Sequence, residues 1–471
     1  MADLFLGFDS GTTNTKAFLY DDRLVLKAAA ARPTGLKFPR PGWAEQPADD
    51  WFLALARSLR GLKTRLGTIG LAGSSQGGTF VPLDRNGRPL RPAVTWLDNR
   101  APDIAAELNR RFGAGRFYRK TGWRLYGGSP LTLCRWLQQE EPEVWRHTRR
   151  LAFVADYLNY RLTGEFFLDP TSAAMTNLFN IRTGRWDPEL LDLAGLKSSM
   201  LPEVIPADAC GGRLTAAAAR QLGLSAGTPV FAGGHDQYCA ALGAGAAAAG
   251  TALVSCGTAW VILITTRRPV YDPARRLAPG PHLLPGRFGL MGAASNGGIL
   301  YDWFSRNLKQ TRPAEGETPS PVLVLPNFIR GRGGLLNLGL ADGPAEILRA
   351  VMETLGLQIR EYLDLAAPRL GGDRVRKLVA IGGPVRQTSL PRLLADITGL
   401  EVTVPEISEA AGRGAARLAL AGLSGRHPES RFKLAGRRFR PHPGRTEAYV
   451  KKYELYRRLK RQLEKEGEND G

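Results

Sequence analysis

The chain has 471 residues, of which 43% are hydrophobic and 23% charged, with 55 Gly and 32 Pro. This excludes wholesale disorder, collagen-like repetition and a disulfide-stapled miniprotein, and at roughly 100–200 residues per domain it predicts two to four domains. A formal net charge of +20, from 64 Lys and Arg against 44 Asp and Glu, admits nucleic acid, an anionic membrane surface or small anions as partners.

A short apolar strand at 4–9 opens the chain and turns through Gly11-Thr12-Thr13 into a second strand at 16–21. A carboxylate at a strand end followed by such a turn suits a phosphate with its cation. Gly11 permits φ > 0 and close backbone approach, successive N–H groups and the Thr hydroxyls can face phosphate oxygens, and Asp9 can hold hydrated Mg²⁺. A plain hairpin turn gives the same pattern.

Next come a helical pattern at 50–60, a strand at 68–75 and a helical pattern at 130–139. The strand at 229–236 ends in Gly-Gly-His-Asp-Gln. Asp236 there suits a general base for a substrate hydroxyl, or the N-cap of a helix starting near Gln237. The longest apolar stretch, 239–256, is mostly Ala and Gly and predicts a tightly packed helix plus a strand start, not a membrane span. The strand at 251–258 ends in a second Gly-Thr turn, and that at 376–383 in paired glycines. Helical patterns at 346–366 and 390–398 flank the latter. Strands alternating with helices predict an α/β protein. The Pro- and Gly-rich stretches 32–42, 268–287 and 312–321 are expected to be surface loops.

The tail is basic, with 14 Lys or Arg and 4 Glu over 426–465. Tyr449, Tyr453, Tyr456, Leu459 and Leu463 fall on one face of a helix there, which predicts a docked helix with a solvated basic face. The four cysteines include no Cys-x-x-Cys pair and the five histidines are scattered. The expectation is a reducing cytoplasm and no zinc cluster. No basic-then-apolar leader precedes the first strand.

These motifs, with PGWAEQPADDW (41–51), LTGEF (162–166) and LFNIRTGRWDPELL (178–191), resemble the FGGY family of carbohydrate kinases, within the actin-like ATPase fold. The resemblance covers nearly the whole chain. It implies two ribonuclease-H-like α/β domains with a catalytic cleft between them, at 1–245 for the acceptor and first phosphate loop and 246–471 for the nucleotide. It further implies ATP and Mg²⁺, with transfer of the γ-phosphate to a hydroxyl of a ketose such as a pentulose, or of a polyol. By position, Asp9 would order the metal shell, and Thr12, Thr13, Asn14 and Lys16 would serve the ATP phosphates. Gly257 and Thr258 would form the second phosphate loop, with Gly298, Gly383 and Gln387 along the nucleotide. Asp236 would be the base, and Gln76, Trp96, His235 and Gln237 would border the acceptor. A homodimer is also implied, although no interface is legible.

Two departures bear on the acceptor. Two residues after the glutamine that matches Gln76, glycerol kinases carry Glu and xylulokinases His, whereas here Gly77 and Gly78 follow, which predicts a roomier pocket. The His-Asp-Gln run mixes a deoxyketohexose-kinase pattern with a glycerol-kinase one. The alternatives are an actin-like or Hsp70-like ATPase without a sugar acceptor, against which the GWAEQ and LTGEF segments argue, and a basic nucleic-acid-binding protein, for which no module is present.

Overall fold

A computed structural model describes residues 3–62, 67–257, 259–294, 297–326, 328, 333–386, 389–428 and 434–469. The chain divides into two compact units. Unit 1 comprises Met1–Ala247, Arg267–Gly289 and Glu409–Lys433; unit 2 comprises Ala248–Thr266, Leu290–Ser408 and Leu434–Gly471. The division differs in detail from a single cut, because unit 1 recruits two later segments.

Unit 1 is built on strands β1 (Leu4–Ser10), β2 (Asn14–Tyr20), β3 (Leu26–Pro33), β4 (Thr68–Ser75), β5 (Cys210–Arg213) and β6 (Pro229–His235), in the order β5-β6-β4-β1-β2-β3. β1, β2 and β3 form an antiparallel meander, and β4 and β6 are added parallel to β1. β1 is buried along nearly its whole length, as expected of a central strand covered on both faces. Helix α1 (Asp49–Arg60) buries Trp51, Phe52, Leu55 and Leu59 from one face, the 3–4 spacing of an amphipathic helix. Helices α2 (Pro130–Glu140), α3 (Val154–Thr163), α4 (Pro170–Ala174) and α5 (Asp236–Gly243) follow.

Unit 2 repeats the plan. Strands β7 (Thr251–Cys256) and β8 (Trp260–Thr266) are antiparallel neighbours. Beyond them lie the later strands β9 (Phe288–Ala294), β10 (Lys377–Ile381), β11 (Glu401–Pro405) and β12 (Gly436–Phe439), in the order β9-β8-β7-β10-β11-β12. β10 is parallel to β7, and β11 to β10. A meander of three strands extended by two parallel ones, present twice, is the ribonuclease-H-like arrangement that the motifs imply. Helices α6 (Gly297–Asn307), α7 (Pro344–Leu370) and α8 (Ser389–Thr398) belong to unit 2; α9 (Ala410–Ser424) returns to unit 1, and α10 (Pro443–Asn469) ends the chain in unit 2.

The tail helix docks through the tyrosines of the face its spacing predicts, with Leu459 packed against them, whereas Leu463 at the end of that face is exposed. Tyr449, Tyr453 and Tyr456 are buried with Leu323, Leu325, Leu357 and Ile397. Beside them Lys452 reaches into a polar knot: its Nζ donates to Glu353 Oε2 at 2.5 Å and to the carbonyls of Ser320 and Val322 at 2.8 Å.

The stretch 239–256 resolves into α5 and β7, and no helix among the described residues is long and apolar enough to cross a membrane. Two expectations change. The stretch 268–287 is not a surface loop throughout, since it contains a short strand, Ala278–Pro281, and buries Val270, Leu277, Leu283 and Leu284. Its Pro and Gly residues punctuate apolar positions that need covering, and the burial of those positions prevails. Gly11 does not use the left-handed region; its N–H closes the β1–β2 turn on Asn14 O at 3.0 Å, a geometry open to other residues.

Candidate active site

The ends of β1, β4 and β6 bring most of the expected unit 1 residues together. In the ladder Asp9 lies opposite Lys16 on β2 and Ser74 on β4, and His235 lies opposite Ser75. Ser74 Oγ donates to Asp9 Oδ1 at 2.9 Å. Burial, then the nearby charge of Asp236, pushes the Asp9 carboxyl up to about 7, against the opposing effects of Ser74 and Lys16. Lys16 is not free to neutralise it alone, because its ammonium is also paired with Glu409 at 3.1 Å.

The Gly-Thr turn is tied to the neighbouring acceptor candidates. Thr12 Oγ1 donates to Gln76 Oε1 at 2.9 Å, and Trp96 Nε1 donates to Thr12 Oγ1 at 3.0 Å. Gln46, the glutamine of GWAEQ, is fully buried and holds both ends of this cluster: its Nε2 donates to Thr12 O at 2.5 Å, and its Oε1 accepts from Gln76 Nε2 at 2.9 Å. Gln46 was not among the residues expected at the site, although its place in a family segment could have signalled it. Thr13 is exposed and Asn14 half-buried, with Asn14 Nδ2 donating to Thr13 Oγ1.

Asp236 opens α5. The N-cap position is His235, so the alternative in which Asp236 caps the helix does not hold. As the first helical residue it sits where the helix dipole favours a negative charge. Its carboxylate is about one-third exposed, and Oδ1 lies 3.3 Å from His235 Nε2. His235 Nδ1 and Gln237 Oε1 are buried and have no hydrogen-bond partner among the described residues.

At Gly78, where glycerol kinases and xylulokinases carry Glu or His, φ is +71° and a Cβ would meet Trp96 Cβ at 3.4 Å and Met175 O at 3.7 Å, ordinary contacts. The space beside Gly77, by contrast, is filled. A Cβ there would stand 2.4 Å from Met175 Cγ and 2.7 Å from His235 Cδ2. Absence of a side chain at 77 lets those two groups close in. Met175 gave no signal in the sequence, because its approach depends on the packing of a distant segment.

In unit 2, Gly257 N–H turns back on Ala259 O at 3.3 Å. Gly298 is the second residue of α6, and Gly383 follows β10 with nothing within 4 Å of where a Cβ would stand. Thr258 and Gln387 lie outside the described residues. A cavity of ≈ 400 Å³ in unit 1, lined by Arg116, Arg119, Lys120, Asn180, Arg182 and Thr183, holds none of the expected site residues.

Residues 4–243 match the N-terminal domain of the FGGY family of carbohydrate kinases, and residues 252–423 match its C-terminal domain. The chain belongs to the FGGY family of carbohydrate kinases. Among the relatives of this FGGY kinase, the xylulose kinase of Escherichia coli K12 is 28% identical over 490 residues, covering 98% of this chain and 99% of that one. The L-xylulose/3-keto-L-gulonate kinase of the same organism is 28% identical over 489 residues, covering 98% and 97%. Among solved structures, a xyloylose kinase from Brucella ovis superposes with a TM-score of 0.91 at 27% identity, covering 98% of this chain and 99% of that chain. The chain is thus a sugar kinase with ATP as phosphoryl donor, of the actin-like ATPase type.

Proposed function

We propose that this kinase phosphorylates a small ketose, a pentulose first of all, with Asp236 as general base. The observation that carries the reading is the placement of Asp236, an accessible carboxylate at the first turn of α5, beside His235 and near enough to the half-buried Asp9 to raise its pKa. The names of the relatives favour a pentulose.

The acceptor is held by Gln76, Trp96, His235 and Gln237, of which Gln76 and the exposed Trp96 meet at the Thr12 hydroxyl. Asp236 takes the proton of the acceptor hydroxyl as the hydroxyl oxygen attacks the γ-phosphorus of ATP. The bond from that phosphorus to the β,γ-bridging oxygen breaks, with ADP as leaving group. Phosphoryl transfer asks chiefly for positioning and charge neutralisation. In unit 1, Thr12, Thr13 and Asn14 offer backbone and side-chain contacts to phosphate; in unit 2, the family resemblance assigns Gly257, Gly298 and Gly383 to the nucleotide. Lys16, paired with Glu409, adds charge behind the first turn.

Asp9 fits a divalent cation. Its carboxyl is held near neutrality by burial and by a like charge, so an added cation would favour the ionised form. The described residues contain no cluster of three or more His, Cys, Asp or Glu placed to hold a metal, which suits Mg²⁺ held by one carboxylate, waters and phosphates. When bound, Mg²⁺ would neutralise phosphate charge.

The reading is tested by ADP release with pentuloses, hexuloses, pentitols and glycerol. A pentulose is expected to give the highest kcat/KM. A pentitol or glycerol in that place would overturn the substrate class.

A further inference from the structure

β6 loses its outer neighbour before it delivers Asp236. β5 pairs with β6 only as far as Phe231. The parallel register with β4 also slips between Phe231 and Gly234. At the slip Gly233 has φ +76°, and a Cβ there would stand 1.9 Å from Gly73 O. Both its conformation and this close approach require glycine.

Backbone amides that no longer pair with β5 must find other partners. Ala232 and Gly233 donate to Ala209 O at 3.1 Å and Ala207 O at 3.0 Å. His235 N–H, one residue before Asp236, donates instead to a side chain, Thr171 Oγ1, at 3.0 Å. That hydroxyl has a single proton, and it points to Asp169 Oδ2 at 2.5 Å. Its lone pair is thereby left to face His235.

Asp169 is itself fixed. It is fully buried, and its carboxylate also accepts the N–H groups of Thr171 at 2.7 Å and Ser172 at 3.1 Å as the N-cap of α4. A buried carboxylate thus orients a hydroxyl, which anchors the amide next to the proposed base. β6 remains paired with β4 at Gly234 and His235, so these contacts serve the amide of His235 where the β5 pairing has ended.

We propose that Thr171, oriented by Asp169, is a positioning residue for phosphoryl transfer, setting the backbone from which Asp236 is aimed. The inference rests on the reading of Asp236 as the base. Misplacement of a reacting group by about 1 Å can cost ~10²-fold in rate.

The test is Thr171→Val, which keeps the branched shape and removes the hydroxyl. Sugar-dependent kcat is expected to fall about 10–100-fold, with the KM for ATP within about twofold of wild type. Thr171→Ser, which restores the hydroxyl, is expected to recover kcat to within about threefold. Asp169→Asn, as a second variant should the valine form not fold, is expected to give a smaller loss of kcat of the same kind. Wild-type kcat in Thr171→Val, alongside an inactive Asp236→Asn, would overturn the positioning role while leaving the base intact. Equal losses in the serine and valine variants would also overturn it. An active Asp236→Asn would remove the base reading, and this inference with it.

Discussion

Each unit encloses a carboxylate, Glu353 fully and Asp9 in part, and the two are treated in opposite ways. In unit 2 Glu353 is fully buried and surrounded by donors. Lys452 Nζ, Arg349 Nε, Tyr449 hydroxyl and the Ser320 N–H all reach it within 3.2 Å. In unit 1 Asp9 has one hydroxyl donor, a lysine shared with Glu409, and the like charge of Asp236 nearby. A buried charge whose partners are built into the chain holds structure together. One left short of positive charge leaves room for a cation that arrives with the substrate.

That contrast is sharpened first at Lys452. Lys452→Met removes the main cation and leaves Glu353 buried, which is expected to cost about 3–5 kcal/mol. Hydrogen exchange should register it as a large loss of protection in α10 and the facing part of α7. Unchanged protection there would mean that the tyrosine stripe alone docks the tail helix.

An effect of the opposite sign is expected at Asp9. Its folded pKa, about 7, lies above the ordinary value of 3.8, so the stability linked to it is present below pH 4 and lost as pH rises towards 7. The cost is at most ~1.4 kcal/mol per pH unit crossed. Without divalent cations, Asp9→Asn should therefore melt above wild type at pH 8, with the gap closing near pH 4. In the wild type, Mg²⁺ should reverse the penalty and raise the melting temperature more at pH 8 than at pH 6. A pH-independent Mg²⁺ effect would break the comparison.

Most of the fold was legible from local signals. The strands at 68–75 and 229–236 and the helix at 390–398 coincide with β4, β6 and α8 to within a residue or two, because hydrophobic period and terminal glycines act locally. β3, Leu26–Pro33, was not anticipated. Its alanines carry no strong strand preference, and pairing with β2 decides their conformation. At the site, the Gly-Thr turn and the Gly-Gly-His-Asp-Gln run stood out because turns and strand ends need particular residue types. Gln46, Met175 and Thr171 did not, since each acts through a partner 30 to 98 residues away in the chain. Only the folded packing brings such pairs together. The charge of +20 gave the least information. Much of its tail portion lies on a helix anchored by buried tyrosines, where a solvated basic face accompanies packing.

The central claim is that Asp236 removes the acceptor proton. Sugar-dependent ADP release by Asp236→Asn, measured beside its ATP affinity, tests it most directly. The account predicts a loss of about 10²–10⁴-fold in kcat with ATP binding nearly unchanged. Turnover close to wild type would contradict it.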